Sequence, residues 1–219
     1  MTALWKAYLI PWLGAPVMGK INESTALVAH AFGRNDIPDN EAYSAIAKMR
    51  KETSNTEGVF TLMKQRNFDM GKPNLSLVRE CVSLIKRYKI KTCILQWELS
   101  YGLWLFLDDD LYRSMDIHTI WPEAKYLDTR GFSLRVAEIC GKNKLWKVVS
   151  VAHGGMAARA ALVILKAFKE KRLAISISIP PQRTKCFDSF SVQPWTRGPA
   201  RWLAREILVR LYYRFKGWV

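Results

Sequence analysis

The sequence predicts an α/β chain: a mostly parallel sheet of about five strands with helices on both faces. Three observations lead there. Short apolar runs recur along the 219 residues, and segments with helical spacing separate them. The runs are continuously apolar rather than alternating, which suits strands covered on both faces. Glycine turns close two of them, at Gly33 and at Gly154 with Gly155.

The elements follow in order. TALVAHAF, Thr25 to Phe32, reads as a buried strand running into the turn Gly33 to Asp36. In PDNEAYSAIAKMRKE, Ala42, Ile46 and Met49 share one helical face, and Asp39 or Asn40 can cap it. Residues 53–73 show no clear period and read as an insertion. From Asn74, the residues Leu77, Val78, Val82 and Ile85 mark a helix that leads into the strand KTCILQW, Lys91 to Trp97. A helix from Ser100 to Ser114, interrupted at Asp108 to Asp110, precedes the strand DIHTIW, and GFSLRVAEIC lies on the next helix. KLWKVVSVAHGGMAARAALVILKAFKEK repeats the strand-turn-helix unit, and RLAISISI supplies the last strand. Each parallel pair needs a crossover, so a Rossmann-like sheet in a single domain, residues 1–219, is the simplest arrangement.

Lys and Arg number 34 against 19 Asp and Glu, a formal charge of +15 that calls for an anionic partner without choosing one. No nucleic-acid motif accompanies the charge, so specific nucleic-acid binding is not expected. Cys81, Cys93, Cys140 and Cys186 lack metal-pair spacing and sit in contexts that read as buried, which suits reduced thiols and a cytoplasmic setting. Pro11 and Pro16 break the amino-terminal apolar run well short of the ~20 residues of a membrane span. Residues 198–217 form a basic amphipathic helix with Trp202, Ile207, Leu208, Leu211 and Phe215 roughly on one side. Two roles stay open for it: packing that apolar side on the sheet with the arginines solvated, or peripheral contact with an acidic membrane.

In open parallel sheets, ligands lie beyond the strand carboxyl ends where strand order reverses. With the order 3-2-1-4-5, His30 to Asp36 would face His153 to Arg159 across one crevice. Gly154 and Gly155 can take positive φ and bring backbone N–H groups to an anion, with Arg159 adding a donor pair. The same glycines equally serve close helix-sheet packing. His153 is the candidate for proton transfer, or else a hydrogen-bonded structural histidine. His30, Gly33, Arg34, Asn35 and Asp36 would line the other side of the crevice. Glu98 stands where a carboxylate binds a ribose hydroxyl, or where a helix dipole favours one. Asp128 and Thr129 sit at a helix start, free to cap it or to meet the ligand. No metal-ligand cluster and no GxSxG elbow occurs.

Three local patterns, VAHGGMAARA (Val151 to Ala160), LDTRGFSLRVAE (Leu127 to Glu138) and WLAREILVRLYYRFKG, resemble the SanA, ElyC and YdcF group of bacterial proteins over residues 90–217. The chain departs in carrying Met156 where many members have histidine, with its own histidine at 153, Asp128 for the usual asparagine, and QWELSYG for a glycine-rich loop. The resemblance is greatest to YdcF-like members, which also carry Met at the place of Met156. It implies a Rossmann-like fold, a small-molecule site at the strand ends, S-adenosylmethionine binding as in YdcF-like members, and, from the membrane-anchored relatives, a link to envelope polysaccharide or lipid-carrier metabolism. The reading that emerges is a protein binding an anionic nucleotide-like molecule. Its rival is a metabolite-sensing module without catalysis that docks on acidic membrane through its carboxyl-terminal helix.

Overall fold

The computed structural model describes residues 21–33, 39–53, 55–122, 127–181 and 184–218. Five strands, β1 (Ala26–Ala29), β2 (Thr92–Gln96), β3 (Asp116–Ile120), β4 (Lys147–Val151) and β5 (Ser176–Ser178), form one sheet in the order β3-β2-β1-β4-β5. Every pairing is parallel, with Val28 beside Ile94 on one side and Ser150 on the other. The chain therefore has the Rossmann-like order expected, and strand order reverses between β1 and β4.

The helices are α1 (Asp39–Glu52), α2 (Thr56–Gln65), α3 (Gly71–Tyr88), α4 (Trp97–Phe106), α5 (Asp109–Arg113), α6 (Thr129–Lys142), α7 (Ala157–Glu170) and α8 (Pro199–Phe215). Because strand side chains alternate, β1 feeds two cores. Leu27 and Ala29 join Val78, Cys81, Phe60 and Trp97 on one face, while Ala26 and Val28 join Phe132, Val136, Ile164 and Phe168 on the other. All four β1 residues are fully buried, which is why this strand reads as an unbroken apolar run. Burying Leu27 and Val28 contributes roughly 1.5–3 kcal/mol each.

Three local expectations change. The stretch 53–73, read as without a clear period, holds a helix: α2, capped by the Asn55 side chain accepting from Gly58 N–H, buries Val59, Phe60 and Met63 in the first core. Cys81, Cys93 and Cys140 are buried, and burial pushes their thiols up, yet Cys186 is exposed. The third change concerns α8. Its buried residues are Trp202, Glu206 and Tyr213, whereas Ile207, Leu208, Leu211 and Phe215 face outward. The helix lies against the carboxyl rim of the sheet instead of packing an aliphatic stripe on a sheet face, because the rim offers a buried arginine and a glycine turn that the Trp202-Glu206-Tyr213 face matches.

Candidate functional site

At the reversal point the residues that follow β1 and β4 lie side by side. His30 N–H donates to the Val151 carbonyl at 3.0 Å, extending the β1–β4 ladder, and the His153 ring stacks on Phe32 at 3.8 Å. A cavity of about 230 Å³ opens beside them, between the end of β1, Gln96 at the end of β2, and the first turns of α6 and α7, with α8 as its outer wall. His30, Asp128, Thr129 and Arg159 all line it, together with Phe32, Trp195, Trp202, Arg205, Tyr212 and Tyr213.

His30 is buried, and no hydrogen-bond partner reaches its Nε2 among the described residues. Burial, reinforced by the Arg159 charge, lowers its pKa to about 3, so the imidazole is neutral near pH ~7. A base that weak accepts protons poorly near neutrality. The histidine that lines the cavity is therefore uncharged.

His153 sits differently. Its Nε2–H donates to the Cys186 carbonyl at 3.0 Å, and its Nδ1 accepts from Gly155 N–H at 3.3 Å, which fixes the neutral Nε2–H tautomer. Burial lowers its pKa to about 4 against the opposing pull of the Cys186 and Lys185 backbone and the Glu206 charge. The ring lies between Phe32 and Phe187 and is not part of the cavity lining. Both ring nitrogens are spent, Nδ1 within the 153–156 turn and Nε2 on tying that turn to the 184–187 segment.

The glycine turn is committed in the same way. Gly154 N–H donates to the Thr184 carbonyl at 2.7 Å, and Gly155 N–H is taken by His153. Positive φ among the described glycines occurs at Gly33, Gly71 and Gly217, not at Gly154 or Gly155. A Cβ on Gly155 would stand 2.7 Å from the indole of Trp202, and one on Gly154 would stand 3.3 Å from the Thr184 carbonyl oxygen. Close packing, the alternative left open by the sequence, accounts for both residues, and neither offers a donor to the cavity in this arrangement. Gly33 does take the left-handed region, φ +69°, where its missing side chain admits Thr196 and Ser191.

Arg159 is where the charge converges. Its Nε donates to Glu206 Oε1 at 2.8 Å, its Nη1 to Thr129 Oγ1 at 2.9 Å, and its guanidinium lies 5.4 Å from the Tyr213 ring centre. Arg210 Nε donates to that same Glu206 oxygen at 2.9 Å. Removing one partner of so buried a pair would cost about 3–5 kcal/mol. Asp128 faces the cavity while its Oδ1 accepts from Gly131 N–H at 2.6 Å, capping α6. Glu98 lies in the first turn of α4, outside the lining, where the helix dipole favours a carboxylate. Arg34, Asn35 and Asp36 lie outside the described residues.

Sequence reasoning overlooked Gln96, Trp195, Arg205, Glu206 and Tyr213. Gln96 holds the Ala31 N–H through its Oε1 at 2.7 Å, and Arg205 stacks 4.3 Å from the Trp195 ring centre. One signal was available. Glu206 is the lone acid in α8 and falls four residues after Trp202 and seven before Tyr213, one helical face.

Fold and cavity together define a Rossmann-like α/β protein with a small polar-aromatic cavity at the strand-order reversal. No protein-family model, no curated protein and no solved structure matches the chain. Among the described residues no group of His, Cys, Asp or Glu side chains is arranged to hold a metal ion, and no helix is long and apolar enough to cross a membrane.

Proposed function

We propose that the rim cavity binds a small anionic, nucleotide-like molecule, with Arg159 and Arg205 meeting its negative group, Trp195 and Tyr212 its planar part, and neutral His30 a polar atom. The observation that carries this reading is that His30, whose buried Nε2 has no hydrogen-bond partner among the described residues, lines the same cavity as Arg159. Such an orphan costs about 1–3 kcal/mol unless something meets it, and native structures keep few of them. The volume, about 230 Å³, lies below the ~300 Å³ at which whole drug-sized ligands are enclosed, so one moiety enters and the rest lies along the mouth. The motif resemblance to the SanA, ElyC and YdcF group supports S-adenosylmethionine as one candidate and envelope or polysaccharide metabolism as the setting, served from the cytoplasmic side.

A thermal-shift panel of nucleotides, nucleotide sugars and S-adenosylmethionine tests this on wild type, His30→Asn and Arg205→Ala. A ligand at 100 times its Kd adds about 2.7 kcal/mol to wild type, and less to either variant. Equal stabilisation of all three proteins would remove the cavity from consideration.

The exposed face of α8 favours a second reading. Leu203, Ile207, Leu208, Leu211 and Phe215 project outward, with Arg201 and Arg214 also exposed beside them. An apolar stripe flanked by arginines suits the interface of an anionic bilayer. In this reading the protein senses a metabolite from the membrane surface without turning it over. Flotation with acidic vesicles should be lost in Leu208→Glu/Leu211→Glu, and retention by that variant would dismiss it.

A further inference from the structure

We infer that Arg159 and Arg210 form a phosphate-binding site which the carboxylate of Glu206 occupies as a built-in competitor. The inference rests on the cavity reading above and adds the group recognised and the way access to it is controlled. Both arginines donate through Nε to one oxygen, Glu206 Oε1, at 2.8 and 2.9 Å, while Oε2 has no hydrogen-bond partner among the described residues. A carboxylate thus fills the site with half of its acceptor capacity. A phosphate group brings three acceptor oxygens and up to two charges, and it satisfies paired guanidiniums better than one shared oxygen does.

The surrounding charge points the same way. Arg159, Arg205 and Arg210 stand against the carboxylates of Asp128 and Glu206, and Asp128 is occupied with the α6 amino terminus. With neutral His30, the site keeps a positive surplus after Glu206 is counted. The first residue of α6, Thr129, already contacts Arg159, so the helix dipole adds to the field on an anion placed there. His30, whose buried Nε2 has no hydrogen-bond partner among the described residues, lines the cavity that Arg159 also lines, an independent mark of a ligand position.

Glu206 belongs to α8, which is also the outer wall of the cavity through Trp202, Arg205, Val209 and Tyr213. For phosphate to reach Arg159, the Glu206 carboxylate must withdraw, and the wall it stands on must shift with it. Anion binding and the seating of α8 are therefore linked, and each is weakened by the other.

Full-length wild type, Glu206→Gln and Glu206→Gln/Arg210→Gln are titrated with inorganic phosphate at fixed ionic strength. Removing the competing charge should tighten phosphate binding about tenfold or more, and the second substitution should abolish most of that gain. Equal phosphate affinity for wild type and Glu206→Gln overturns the proposal, as does a gain that survives loss of Arg210. Should Glu206→Gln fail to fold, hydrogen exchange on wild type decides: phosphate should speed exchange in α8, and unchanged or slower exchange overturns it. These outcomes are separate from the metabolite panel, because the cavity reading fails on His30 and Arg205 and the competitor fails on Glu206.

Discussion

Gly155→Ala is expected to destabilise the protein, and its sign depends on one side chain. A methyl at this position would lie 2.7, 2.9 and 3.0 Å from Cη2, Cζ2 and Cζ3 of Trp202. The contact is with a rigid, buried ring that Gly155 and α8 hold in place, so it cannot swing aside as a flexible side chain would. Overpacking of this kind costs about 1–3 kcal/mol. Since φ at Gly155 lies outside the left-handed region, alanine is not strained there and gains about 0.4–1 kcal/mol by restricting the unfolded chain. The net loss is then about 1.3 kcal/mol from the middle of the two ranges, with about 2.6 as its upper bound, read as a drop of a few degrees in Tm for a chain of this size. Trp202→Leu removes the ring atoms in question, so in that background Gly155→Ala should become neutral or stabilising. Guanidinium denaturation of the four proteins of the cycle measures the coupling directly. An alanine that costs the same in both backgrounds, or nothing in wild type, would refute the view that the glycine turn exists to seat Trp202.

The histidines set the acid response. Above pH ~6.5 both are neutral in the folded and the unfolded chain. As pH falls, the unfolded chain protonates first, so stability drops through the window from 6.5 to about 4 for His153 and to about 3 for His30. Each contributes up to about 1.4 kcal/mol per pH unit. Denaturation midpoints taken from neutral pH downward should fall less steeply in His153→Gln than in wild type; an unchanged slope would show that its buried neutral state is not a source of acid sensitivity. Asp128→Ala should cost about 1 kcal/mol through loss of the α6 cap, with Asp128→Asn nearly silent, as thermal melts without ligand would show. Equal stability of all three would leave Asp128 without a capping role.

Much of the fold was legible because strand burial on both faces writes itself as continuous apolar runs such as ALVA and KVVSV, and because strand-turn-helix units constrain the connections. The α2 helix escaped notice. It is short, its buried residues Val59, Phe60 and Met63 are few, and Gly58 in its first turn lowers the local helix propensity. At the site, Arg159, Asp128, Thr129 and His30 were legible as strand ends and helix starts, which any ligand at the rim must meet. Gly154 and Gly155 were ambiguous because an anion loop and a tight packing turn ask for the same residue, and only the donors' partners tell them apart. The face of α8 misled for a different reason. Aliphatic periodicity favoured Ile207, Leu208 and Leu211, but the pairing of Glu206 with an arginine 47 positions earlier decides the orientation, and no local pattern carries that.

The α8 wall also gives the protein a temporal order as it leaves the ribosome. All five strands emerge before Trp202, Glu206 and Tyr213, so the sheet can assemble while its carboxyl rim is still uncovered. In that interval no carboxylate from α8 stands beside Arg159, so the pairing of Glu206 with Arg159 and Arg210 is among the last contacts the chain can make.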